Sequence, residues 1–314
     1  MKWQVLFLVT VCLLVVAAEP VGAEEPPDYI LQWGTPGSGN GQFHNPRGIV
    51  INSCGYVFVV DTDNHRIQKF TDEGVFITAW GTPGTDYGQF DHPYGIAVDI
   101  SDNIYVTDNH NHRVQKFTSE GVFITTWGIP GSGDSIFGIA VDAMGIVYVD
   151  DIYNNLIQRF TSDGIFINAW GPSSSETRWG ICRGIAVDAS SNVYLVSQTY
   201  HRVLKYTSDG LFLTLWGNQL SNPYGVTVDV LGHVYVADTY NHRIQKFTND
   251  GLFLTMWGTN GSGDGQFNRP SSVALDALGQ VYVVDIDNSR IQKFGYLPVV
   301  VEPTSWGCIK ALYR

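Results

Sequence analysis

Four histidines recur beside arginines in this sequence, as His65-Arg66, His112-Arg113, His201-Arg202 and His242-Arg243. An imidazole can ligate metal or move a proton near neutral pH, and a guanidinium fork can clamp a carboxylate. An aspartate stands five residues before an arginine in the pairs Asp61-Arg66, Asp108-Arg113, Asp238-Arg243 and Asp285-Arg290. So regular a spacing reads as structural ion pairs. Two further copies break the pattern, with Leu156 in place of Arg and Ser197 in place of Asp, so that Asp151 and Arg202 lack this partner. The histidines fall at equivalent places of separate copies and are expected to stand too far apart to share one ion, so no metal ligand is assigned. Asp61-Thr62-Asp63-Asn64 spaces its carboxylates as a calcium loop does but lacks the loop glycine and the distal glutamate.

Nucleophilic chemistry finds little support. There is no Gly-x-Ser-x-Gly elbow, and nothing in the sequence activates Cys54 or Cys182. The Gly-Ser-Gly runs at 37–39, 131–133 and 261–263 follow strand patterns without opening a helix, which argues against a phosphate cradle. No catalytic residue is assigned.

The elements that carry these residues repeat. Trp-Gly occurs at Trp33, Trp80, Trp127, Trp170, Trp216 and Trp257, at spacings of 47, 47, 43, 46 and 41 residues. Between successive pairs lie short Val, Ile, Tyr and Phe-rich runs bounded by Gly, Asn, Asp or Ser, which read as strands and turns. Four strands per unit make a propeller blade. The sixth unit ends at Phe294 without its Trp-Gly strand, while Asp28 to Gly34 is such a strand with no blade before it. The expected fold is therefore all-β, a six-bladed β-propeller of four-stranded antiparallel blades whose ring is closed by an N-terminal strand pairing with blade six.

The Asn-His-Arg-Ile-Gln-Lys-Phe core at 64–70 and 241–247 resembles the NHL-repeat family, and the resemblance covers residues 28–296. It implies a six-bladed propeller and no single function, since relatives include ubiquitin-ligase substrate and RNA readers, kinase sensor domains and a peptide-amidating lyase. That lyase supplies metal-binding histidines just after the first-strand proline. Here those places hold Arg47, Tyr94, Tyr224 and Ser271, so the resemblance does not carry its metal chemistry over. His44 and His92 in the crossovers leave a divalent cation open, and no cofactor is assigned.

Strand parity places the Asp-to-His loops and the long crossovers between blades on one face, and tight turns on the other. A ligand site is expected on the loop-bearing face. Its inner ring, where the first strands begin, is Arg47, Tyr94, Phe137, Arg183, Tyr224 and Ser271. Its second ring is Asp63, His110, Tyr153, Thr199, Tyr240 and Asp287. Arginine and tyrosine are enriched where interfaces carry their energy, so the ligand-binding set is Arg47, Tyr94, Phe137, Arg183, Tyr224, Asp63, His110, Tyr153, Tyr240 and Asp287.

Composition narrows the partners. The 314 residues hold 30 acidic and 18 basic side chains, a net charge of −12, which argues against nucleic acid. Residues 1–23 read as a secretory signal, with an apolar run from Val5 to Ala18 too short to span a membrane and small residues before the cut after Ala23. The propeller occupies 24–296, and 297–314 is an extended linker and short tail carrying Cys308. These observations lead to an exported, extracellular or periplasmic recognition scaffold. It is expected to be monomeric, to be non-catalytic and to bind a protein, peptide or glycan, with the tail as a second docking segment. The alternatives are a metal-dependent propeller enzyme of lyase or lactonase type, or a structural envelope component.

Overall fold

The β-branched and aromatic runs of each repeat pair as antiparallel strands because alternate side chains can then pack against the neighbouring blade on both faces. The computed structural model describes residues 24–129, 136–172, 174, 179–217 and 219–296. The expected signal at 1–23, the glycine run at 131–133 and the tail with Cys308 lie outside the described residues.

Six four-stranded antiparallel sheets form the ring. The first blade runs Pro46–Ile51, Val57–Asp61, Arg66–Phe70 and Phe76–Trp80 from channel to outer wall. The second begins at Pro93–Val98, the third at Ile136–Val141, the fourth at Cys182–Val187 and the fifth at Val226–Val228. The sixth combines Pro270–Leu275, Val281–Asp285 and Arg290–Gly295 with the N-terminal Asp28–Trp33 as its outer strand. In that closure Asp28 pairs with Gly295 and Trp33 with Ile291. The ring is thus shut by strands from opposite ends of the propeller, which removes an open sheet edge.

The apolar core lies between blades. One cluster joins Phe43, Phe70, Tyr282 and Ile291 across the sixth and first blades, and another joins Phe58, Phe90, Ile96 and Phe117 across the first and second. The Trp of each Trp-Gly strand reaches the next blade, as Trp80 does with Phe117 at 6.0 Å between ring centroids. A lysine in the third strand ties the same neighbours: Lys69 Nζ donates to the Ser119 carbonyl at 2.9 Å and Lys116 Nζ to that of Ser162 at 3.1 Å.

The recurring Asp-Arg spacing builds one motif at the end of the second strand. Asp61 Oδ2 accepts from Arg66 Nε at 2.8 Å and Gln68 Nε2 at 3.0 Å, while Oδ1 accepts the crossover amide of His44 at 2.8 Å. The equivalent Arg bonds are Arg113 to Asp108 at 2.8 Å, Arg243 to Asp238 at 2.7 Å and Arg290 to Asp285 at 2.7 Å. Each aspartate is fully buried, so charge pairing and hydrogen bonds together offset its desolvation.

In the third blade the ion pair is broken, as the sequence indicates, and amides hold the aspartate instead. With Leu156 in place of the arginine, Asp151 still accepts from Asn154 Nδ2 and Gln158 Nε2, both at 2.8 Å. These amides belong to the same blade and occupy the places that Asn64 and Gln68 fill in the first. In the fourth blade Ser197 Oγ donates to the Trp179 carbonyl and accepts the Tyr200 amide, while Arg202 lies over the Tyr200 ring at 5.0 Å.

Candidate ligand-binding face

The innermost strands approach so closely that the glycine after each of Arg47, Tyr94, Phe137, Arg183 and Tyr224 has almost no room. A Cβ on Gly48 would stand 2.7 Å from the Tyr94 carbonyl oxygen, and one on Gly95 would stand 2.3 Å from that of Phe137. Glycine is required where one backbone meets another at this range. The packed ring of backbones therefore fixes Arg47, Tyr94, Phe137, Arg183 and Tyr224 around the mouth of the central channel.

There the side chains meet. The Arg47 guanidinium lies 5.5 Å from the Tyr94 ring centre and 5.9 Å from that of Tyr224. Arg183 lies 4.9 Å from Tyr224, 5.0 Å from Phe137 and 5.8 Å from Tyr94, and its Nη1 donates to the Tyr94 hydroxyl at 3.3 Å. Tyr94 and Phe137 pack edge to face at 4.7 Å. Ser271, buried, donates to the Arg47 carbonyl at 3.1 Å and faces backbone rather than the mouth. Beneath lies a channel of about 220 Å³, walled by apolar side chains such as Ile49, Ile96, Ile139 and Ile185.

The two arginines differ from those of the blades. Arg47 Nε and Nη1 and Arg183 Nε are buried without a hydrogen-bond acceptor. Among the described residues no carboxylate pairs with either side chain, whereas Arg66, Arg113, Arg243 and Arg290 each have an aspartate. Cation–π contact attracts the guanidinium but leaves in-plane N–H groups seeking an acceptor.

The second ring behaves otherwise. Its members mostly pair with the crossover of their own blade: Asp63 Oδ1 accepts from Asn45 Nδ2 at 3.2 Å, and Asp287 meets Arg269 at 3.3 Å. Tyr240 carries Arg269 over its ring at 5.6 Å, and Thr199 Oγ1 accepts the Ile181 amide at 2.9 Å. Tyr153 stands apart at 72% exposed. His110 Nδ1 lies 3.5 Å from Asp91 Oδ1.

Three features escape sequence reasoning. First, recurring histidines staple blade to blade: the Nδ1 of His65, His201 and His242 accepts the amides of His92, Asn222 and Arg269 at 3.3, 2.9 and 3.2 Å. Second, His65 thereby comes within reach of Asp91 and His92. Burial pushes the Asp91 carboxyl up, but the His92 hydrogen bond and the imidazoles of His110 and His65 outweigh it and hold the group below its usual range. Third, Asp150 is wholly buried and its Oδ2 has no partner, so burial, with the nearby Asp151, raises its pKa well above the ordinary value. The Cys182 thiol beside it is pushed up by burial and by Asp150, with Arg202 opposing.

The comparisons agree with this architecture. NHL repeats match at residues 43–70, 90–117, 220–247 and 267–294, so the chain carries NHL repeats on a six-bladed propeller. Over 48 residues it is 46% identical to the B-box type zinc finger protein ncl-1 of Caenorhabditis elegans, a match covering 15% of this chain and 6% of that protein. Among solved structures, a Bacteroides thetaiotaomicron protein of unknown function superposes with a TM-score of 0.65 at 19% identity, covering 84% of this chain and 76% of that one. Virginiamycin B lyase from Staphylococcus aureus gives 0.59 at 17% identity, covering 79% and 80%. At such identities the likeness is one of fold.

Proposed function

We propose that this NHL-repeat propeller is an exported, non-catalytic recognition module that binds its ligand at the channel mouth, through an anionic group held by Arg47 and Arg183. One observation carries the reading: two guanidinium groups face the same pair of tyrosine rings with buried N–H donors that no protein acceptor satisfies. A carboxylate or similar oxyanion on a protein, peptide or glycan supplies acceptors of matching geometry, and Tyr94, Phe137 and Tyr224 supply the flat apolar contact beside it. The overall acidity of the chain keeps nucleic acid away from the rest of the face while leaving this locally cationic spot. Export rests on the sequence of residues 1–23.

The test is retention of acidic peptides and uronic-acid glycans by the wild type and by an Arg47→Gln/Arg183→Gln double variant. Binding by the wild type, reduced at least tenfold in the variant at unchanged melting temperature, supports the reading. Equal retention by both proteins, or by neither, refutes it.

A further inference from the structure

The boundary between the first and second blades gathers donors that no other part of the described structure brings together. His65 comes from the loop after the second strand of the first blade, Asp91 and His92 from the following crossover, and His110 from the matching loop of the second blade. From the single oxygen Asp91 Oδ1, the Nδ1 atoms of His92, His110 and His65 lie at 2.7, 3.5 and 3.9 Å. The ligand atoms of His65, Asp91 and His92 all fall within 4.8 Å of one another. A tetrahedral zinc ion with bonds of about 2.0–2.1 Å sets its donors roughly 3.3 Å apart, so the carboxylate-to-imidazole distances bracket the edge of such a site.

Hydrogen bonding alone explains the cluster poorly. The His65 and His92 rings stand 4.8 Å apart and those of His92 and His110 4.4 Å, and one carboxylate oxygen cannot accept well from all three. A dication draws the same lone pairs together and replaces the protons. The staple from the His92 amide to His65 Nδ1, at 3.3 Å, is the longest of the three such bonds and is the contact that ligation would exchange.

We propose that His65, Asp91 and His92 form a binding site for a divalent transition metal, zinc by preference, with His110 positioned to swing in as the fourth ligand. Imidazole with one carboxylate favours zinc, nickel or copper over magnesium or calcium, which take oxygen donors. No other crossover has the pair in its sequence: the place of Asp91 is His44, Asp134, Gly180, Ser221 or Asn268, and the place of His92 is Asn45, Ser135, Ile181, Asn222 or Arg269. The site is independent of the channel mouth, and its metal would brace two blades at the rim of the loop-bearing face.

Those same substitutions provide a test that preserves the fold. His92 has φ of 51°, and Asn45 and Asn222 hold the equivalent left-handed positions at 55° and 44°, so His92→Asn keeps the backbone. Asn268 likewise supports Asp91→Asn. Zinc binding to the full chain is measured by competition with a chromophoric chelator, and cobalt substitution is followed by visible absorption. The expected result is one zinc per chain at submicromolar affinity, a tetrahedral cobalt spectrum, and at least a tenfold loss of affinity in either variant, whose metal-free melting matches the wild type. His201→Asn, which alters a staple histidine with no carboxylate beside it, is expected to retain full affinity. Absence of stoichiometric binding, binding unchanged in both variants, or equal loss in His201→Asn would overturn the proposal.

Discussion

Arg183 of the fourth blade donates through Nη1 to the hydroxyl of Tyr94 in the second, 3.3 Å away across the channel mouth. This contact skips a blade, so it belongs to the mouth and not to the repeat. Removing the guanidinium costs that bond and three cation–π contacts but relieves a buried donor without an acceptor. Gains and losses of about 1 kcal/mol each should nearly cancel. Arg183→Gln is expected to shift the melting temperature by no more than about 3 °C. Sulfate or citrate, as oxyanion probes, should raise the wild-type melting temperature more than that of the variant. An identical salt response in both would remove Arg183 from the anion site.

Asp150 gives a pH dependence of definite sign. The folded state holds its proton more tightly than the unfolded chain, whose ordinary pKa is 3.8, so the unfolded state releases a proton first as pH rises. The contribution is flat below that value, and stability then falls with rising pH through the window up to the raised folded pKa. The same strand position is Val60, Val196 and Val284 in other blades. Asp150→Val should therefore stabilise the protein at neutral pH by about 1–3 kcal/mol in urea titrations, with the gain fading toward pH 4. A gain equal at both pH values would show that packing, not protonation, sets the difference.

The contrast between these two sites explains what could be read in advance. Strand count, face parity and ring closure follow from text that recurs every 41–47 residues, because each copy must bury the same faces against its neighbours. The meeting of Arg47, Tyr94, Arg183 and Tyr224 follows from one position seen six times around an axis. The encounter of His65 with Asp91 and His92 does not, since it joins a loop of one blade to the crossover entering the next, across a gap whose width the repeat spacing leaves open. Departure from the repeat was the available signal: Asp91 and His92 occur together in only one crossover. Asp150 offered the same signal, a carboxylate where its counterparts are Val, Thr or Ala.

Arg113 neutralises Asp108, which is fully buried, and also holds the crossover through the carbonyls of Thr85, Asp86 and Gln89 at 2.7, 2.8 and 2.9 Å. Arg113→Ala leaves a buried carboxylate with only amide donors and should cost about 3–5 kcal/mol in chemical denaturation. The fourth blade folds with Ser197 at the aspartate position. Adding Asp108→Ser to Arg113→Ala should accordingly recover part of the loss. Strict additivity of the two changes would mean that the pair does not act through its charge.

Ring closure depends on a strand that is distant in sequence from its blade. Leu31 and Gln32 pair with Lys293 and Gln292, and Trp33 packs on Phe70 of the first blade at 5.9 Å and over Gly74, where a Cβ would stand 2.6 Å from its ring. Just ahead of the strand, Glu24 accepts from Lys246 Nζ at 2.7 Å, which carries the fastening on to the fifth blade. Trp33→Ala thus loosens contacts of the sixth and first blades together and should cost about 2 kcal/mol, less than a fully buried Trp because the ring is only partly covered. If closure limits opening of the whole ring, amide exchange in Arg290–Gly295 and Arg66–Phe70 should quicken together in this variant. Faster exchange confined to Arg290–Gly295 would instead mean that the closing strand protects its own blade while the first blade holds through its remaining contacts.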